Sequence, residues 1–102
     1  MGKLSIQRRH DAGRVLVALS GELDVSSAPE LERCLSELEA ESHSDVVLDL
    51  SELSFVDSAG ISVLVKAKHQ AEAKGRQLVL RGPPPQVQRI FAVIGISDWL
   101  AP

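Results

Sequence analysis

The chain has 102 residues, 44% hydrophobic and 25% charged, with a formal net charge of -3. That suits one globular domain over residues 1–102 and argues against direct nucleic-acid binding, which needs a clustered basic surface. The single cysteine, Cys34, excludes an intramolecular disulfide. No apolar run is long enough to span a bilayer or to form a secretion signal, which predicts a cytoplasmic protein with no membrane insertion. With 2 Phe, 1 Trp and no Tyr, the core has to be aliphatic.

In chain order, the alternation around Leu4 and Ile6 predicts a first strand near residues 3–9. Asp11-Ala12-Gly13 reads as a turn, because Gly tolerates positive φ and Asp bonds its own backbone. Residues 14–20 (RVLVALS) form a stronger strand, so the first two strands read as a hairpin. Residues 21–26 are expected to be a loop. Ser27 with Glu30 has capping-box spacing, with Pro29 in the first turn, and Ala28, Leu31, Leu35 and Leu38 mark a helix over about 28–41. Residues 45–50 (DVVLDL) are nearly continuously apolar and predict a strand covered on both faces, as parallel strands usually are.

Residues 51–57 (SELSFVD) read as a connection in which Leu53, Phe55 and Val56 pack down. A second helix starts near Ser58, with Ile61, Leu64, Val65 and Ala71 on its apolar stripe and Gly75 as its C′ residue. Another strand spans about 77–80. Residues 82–85 (GPPP) break the chain before a last helix with Val87, Ile90, Phe91 and Ile94 on one face. Gly95 caps it, and Ile96, Trp99 and Leu100 are expected to pin the C-terminus. The order ββαβαβα implies an α/β fold: a small mixed, mostly parallel four-stranded sheet flanked by helices, with right-handed crossovers.

In such sheets the working loops lie beyond the carboxyl ends of the parallel strands. The loop after the second strand carries Asp24, Ser26 and Ser27; the one after the third ends in Asp57-Ser58-Ala59-Gly60. Two readings of the second loop stand side by side. Asp and Ser are favoured helix N-caps, and a helix must start somewhere. Alternatively, Ser58 is a phosphoacceptor whose phosphate would meet free N–H groups and the positive end of the helix dipole.

Enzymatic readings find less support. Val56-Asp57-Ser58-Ala59-Gly60 has Val where a nucleophile elbow needs its first Gly, and a serine hydrolase needs a histidine in reach. His10 and His43 are placed at the opposite end of the sheet, and His69 lies about 16 Å along the helix axis from Ser58 at about 1.5 Å per residue. The three histidines and Cys34 lack metal-ligand spacing, and there is no phosphate-binding loop. No cofactor and no metal are expected.

Three stretches together resemble the STAS domain family, the fold of bacterial anti-sigma factor antagonists. They are Gly21-Glu22-Leu23-Asp24; Val47-Leu48-Asp49-Leu50 leading through Phe55 into Asp57-Ser58-Ala59-Gly60; and Gln88-Arg89-Ile90-Phe91 through Gly95-Ile96. The resemblance implies a partner switch. The unmodified antagonist binds an anti-sigma factor serine kinase and so frees a sigma factor. Phosphorylation of Ser58 ends the binding, and a metal-dependent serine phosphatase resets it.

It further implies a partner-binding rim of Asp24, Ser26, Ser27, Asp57, Ser58, Ala59 and Gly60. Many relatives carry Ser or Thr where this chain has Ala59, which leaves Ser58 as the unambiguous acceptor. The same motif also occurs where a STAS module serves as a structural or adaptor subunit of a signalling scaffold or membrane-transport complex.

Overall fold

The computed structural model describes residues 3–41 and 44–100; His43 lies outside them. The elements are β1 (Ser5–Asp11), β2 (Arg14–Leu23), α1 (Ala28–Glu41), β3 (Asp45–Val56), α2 (Ser58–Ala73), β4 (Leu78–Arg81), α3 (Pro85–Val93) and a 3-10 turn at Ser97–Trp99. The sheet has the order β1-β2-β3-β4. β1 runs antiparallel to β2, and β2, β3 and β4 are parallel to one another. This is the mostly parallel four-stranded α/β sheet expected from the sequence. The hairpin turns at Ala12 and Gly13, both at positive φ (52° and 80°), the conformation whose twist matches that of the flanking strands.

Val15, Val17 and Leu19 of β2, Leu48 and Leu50 of β3, and Leu78 and Leu80 of β4 alternate onto one face. They form one cluster with Leu31 and Leu38 of α1, Leu64 of α2, and Val87 and Phe91 of α3. On α2, Val63 and Ala67 pack against this core together with the expected Ile61 and Ala71. The second face keeps Leu16, Ala18, Asp49 and Val79 partly exposed. A small cavity there is lined by Arg9, Asp11, Arg14, Leu16, Val47 and Arg81, with no helical residue among them. The sheet is thus sealed fully on one face only, which corrects the expectation that β3 is covered on both.

Both parallel strands that carry the working loops are longer than the sequence suggested. β2 continues to Leu23 and β3 to Val56, so much of 21–26 and 51–57 is strand rather than loop. Pairing survives because the register shifts between Ala18 and Ser20 and again between Gly21 and Glu22. Such bulges break the two-residue alternation that a reading of the sequence relies on.

The Ser54 hydroxyl donates to the Gly21 carbonyl at 3.0 Å at one of these irregularities. Gly21 itself has φ +102°, and a Cβ there would lie 2.0 Å from the Lys3 carbonyl oxygen. After the shifts Leu53 and Val56 are buried, as expected, but Phe55 pairs opposite Glu22 and is 48% exposed. The second shift, between Leu53 and Phe55, returns Phe55 to the face opposite Leu48, Leu50 and Val56.

The C-terminal segment is anchored as expected. Ile96 is buried, Leu100 pairs with Leu80 in a parallel bridge, and Trp99 meets the His69 ring of α2 edge to face, with centroids 6.0 Å apart. Ile94 falls just past the end of α3 and is exposed, so it does not extend that helix's buried face.

Candidate functional site

β2 and β3 end side by side, Leu23 pairing with Val56, and the two chains leave the sheet together into the loop 24–27 and the turn at Asp57. In the first loop the Asp24 carboxylate folds back on its own backbone. Its Oδ1 accepts from the N–H of Ser26 at 3.0 Å and of Ser27 at 3.1 Å, and from the Ser26 hydroxyl at 2.7 Å, an Asx turn. The Ser26 hydroxyl holds the Asp24 carboxyl below its ordinary value of 3.8, against a smaller upward pull from burial, and the N–H groups of Ser27 and Ser26 add to the lowering.

Ser27 does not form the expected capping box. Its hydroxyl accepts from the Asp24 N–H at 2.9 Å and donates to the Glu22 carbonyl at 2.9 Å, so it staples the loop. Its carbonyl, not its side chain, receives the Glu30 and Leu31 N–H groups of the first helical turn.

The second segment is organised by Asp57. Its N–H donates to the Leu23 carbonyl at 3.1 Å. Its Oδ1 accepts from the Gly60 N–H at 3.0 Å, the N-cap bond of α2, and its Oδ2 accepts from the Val25 N–H at 3.0 Å. One carboxylate therefore starts the helix and ties it to the neighbouring loop. Gly60 is buried at this junction. A Cβ on it would lie 2.7 Å from Leu23 Cγ and 2.8 Å from Val56 Cγ2, so only glycine lets α2 begin this close to the strands.

Ser58 follows the cap as the first residue of α2 and is exposed. Its carbonyl accepts from the Ser62 hydroxyl at 2.9 Å. A helix start leaves its first N–H groups without intrahelical partners. Asp57 satisfies that of Gly60, and those of Ser58 and Ala59 remain at the helix tip.

The structure thus brings Asp24, Ser26 and Ser27 together with Asp57, Ser58, Ala59 and Gly60 through the Asp57–Val25 bond. Of the seven, Ser26 and Ser58 are exposed, Gly60 is buried, and the rest are partly buried. Reasoning from the sequence missed two apolar neighbours. Val25 is 73% exposed and Phe55 48% exposed. A valine between Asp24 and Ser26 in a turn is itself a signal, since turns favour polar residues. Phe55 was hidden by Leu53, which is buried two residues before it because a register shift falls between them.

Residues 21–30 and 51–62 contain Glu22, Asp24, Glu30, Glu52 and Asp57 and no Lys or Arg. A shallow groove beside the first loop is lined by Lys3, Leu4, Glu22, Asp24, Ser26, Ser27 and Glu30. The rim is acidic, with two apolar projections. His10 lies near the hairpin turn, at the other end of β2, and His69 is packed on Trp99. Among the described residues no group of three or more His, Cys, Asp or Glu is placed to hold a metal ion, and no helix is long and apolar enough to cross a membrane.

Fold and rim together define a small α/β domain that exposes a serine at a helix start between two loops. The STAS domain family model matches residues 3–102, and the chain belongs to that family. It is 29% identical over 84 residues to the anti-sigma-B factor antagonist of Staphylococcus aureus (strain NCTC 8325 / PS 47), covering 82% of this chain and 78% of the relative.

Among solved structures, the unphosphorylated form of the anti-sigma factor antagonist SpoIIAA shares the fold with a TM-score of 0.84 at 23% identity. That match covers 95% of this chain and 86% of the other. The phosphorylated form of SpoIIAA, described as a Bacillus cell fate determinant, gives 0.76 at 22% identity, covering 95% and 89%.

Proposed function

We propose that this chain is an anti-sigma factor antagonist that works in the cytoplasm as a phosphorylation-controlled switch. The unmodified protein binds an anti-sigma factor serine kinase and thereby releases a sigma factor. Transfer of the γ-phosphoryl group of ATP to the Ser58 oxygen, with ADP leaving, ends that binding, and a serine phosphatase restores the hydroxyl. The staphylococcal relative carries the antagonist role by name. The observation that carries the site is the exposed Ser58 held at the tip of α2 by the two-oxygen bond set of Asp57.

The rim supplies position and not catalysis. Both Asp57 oxygens are engaged by backbone N–H groups, and on this reading the base that takes the Ser58 proton is a group of the kinase. A phosphate on Ser58 would sit at the positive end of α2, near the N–H groups of Ser58 and Ala59. That favours the modified state without requiring the fold to change.

The test mixes the purified chain with a candidate anti-sigma kinase and Mg-ATP, reading intact mass and complex formation, with Ser58→Ala alongside. Addition of one phosphate to the wild type alone, together with loss of the complex, supports the switch. Binding without phosphate transfer would instead favour an adaptor role, and no binding to any such kinase would overturn the reading.

A further inference from the structure

Two large apolar side chains are exposed on the segments that carry the rim, and no other part of it explains them. Val25 gives its N–H to Asp57 Oδ2 and leaves its side chain 73% exposed. Phe55, two residues before Asp57, is 48% exposed at the end of β3. Both stand on main chain held by hydrogen bonds, Val25 through Asp57 and Phe55 through its pairing opposite Glu22, so no loop has to be ordered when a partner covers them. Aromatic side chains are enriched in interface cores while valine is a less frequent hot spot, so Phe55 is the main anchor and Val25 extends the apolar area beside it. Around them the segments 21–30 and 51–62 carry five carboxylates and no Lys or Arg, which calls for basic groups at the periphery of whatever docks there.

We propose that Val25 and Phe55 are the anchors of the complex with the anti-sigma kinase, and that phosphate on Ser58 acts by keeping these anchors hydrated. The proposal rests on the reading of the previous section and names the partner surface as an apolar recess with basic groups around it. On that reading Ser58 faces the partner's ATP, whose phosphates already engage the cations of that site. A phosphate dianion on Ser58 holds water strongly. A partner cannot close over Val25 and Phe55 without stripping that shell, and release follows from desolvation more than from long-range repulsion.

The mechanism separates from long-range repulsion by its salt dependence. Coulombic repulsion at an exposed site is screened as the Debye length falls to about 3 Å at about 1 M salt, whereas a desolvation cost persists. The experiment measures affinity of the kinase with its nucleotide for wild type, Val25→Ser, Phe55→Ala and Ser58-phosphorylated protein, at about 0.05 M and about 1 M salt.

The proposal expects each substitution to weaken binding about tenfold or more while the melting temperature of the exposed-site variant Val25→Ser stays that of wild type. It expects the phosphorylated form to remain unbound at high salt. Wild-type-like affinity of either variant, or recovery of binding by the phosphorylated form in high salt, overturns it and leaves the switch itself standing. Failure of wild type to bind at about 0.05 M salt overturns both.

Discussion

The Asp57 carboxylate reaches across 32 positions of sequence to the Val25 N–H, 3.0 Å from Oδ2, while Oδ1 caps α2 through Gly60. The two loops of the rim are thereby held as one piece. Asp57→Ala removes both bonds. The lost N-cap costs about 1 kcal/mol and the cross-loop bond about another 1 kcal/mol, and each kcal/mol lowers the melting temperature by about 4–8 °C at this chain length. Asp57→Asn has one acceptor oxygen for two donors and is expected to lose about half as much. Thermal unfolding of the two variants beside wild type checks the order.

Ser58→Ala is expected to change stability by less than about 0.5 kcal/mol, as a substitution at an exposed position usually does. It should nevertheless abolish phosphate uptake completely. A large fall in its denaturation midpoint would show that the Ser58 hydroxyl is structural and would count against its role as an acceptor.

Gly60→Ala places a methyl group 2.7 Å from Leu23 Cγ and 2.9 Å from the Leu23 carbonyl oxygen. Overpacking of this kind costs about 1–3 kcal/mol. Gly21→Ala meets the Lys3 carbonyl at 2.0 Å and a φ of +102°, so it should be the more damaging of the two. Urea denaturation of both variants tests the ranking.

Asp24 supplies a pH dependence whose sign is fixed by its bonding. Its folded carboxyl lies below the ordinary 3.8, held down first by the Ser26 hydroxyl. The contribution is therefore fully present above the unfolded value and is lost as the pH falls through the folded one. Asp24→Asn should be less stable than wild type at neutral pH, with the gap closing on the acid side of 3.8. Denaturation midpoints measured down the acid limb read this directly, and a gap that stays constant would contradict the assignment.

The order of elements, the mostly parallel sheet, the three helices and the nearness of the loops that carry Asp24 and Asp57 were legible from periodicity, turn residues and the rule that loops gather at strand carboxyl ends. What escaped was local. Phe55 looked like a core residue because its neighbours Leu53 and Val56 are, but the second register shift lies between Leu53 and Phe55 and returns Phe55 to the face opposite Leu48, Leu50 and Val56. Ser27 had capping-box spacing with Glu30, but the nearer Glu22 carbonyl and Asp24 N–H claimed its hydroxyl. In both places a tertiary or loop bond outcompeted a pattern that is common in isolated segments.

The Asp57 bond set has a consequence for timing. Its donors are backbone N–H groups of Val25 and Gly60, so chemistry at the neighbouring Ser58 hydroxyl leaves that lock closed. On the proposed reading, the protein stores one bit as occupancy of an oxygen atom, with no slow refolding between its two values. How long the bit lasts is then set by the enzymes that write and erase it, and the antagonist adds no delay of its own.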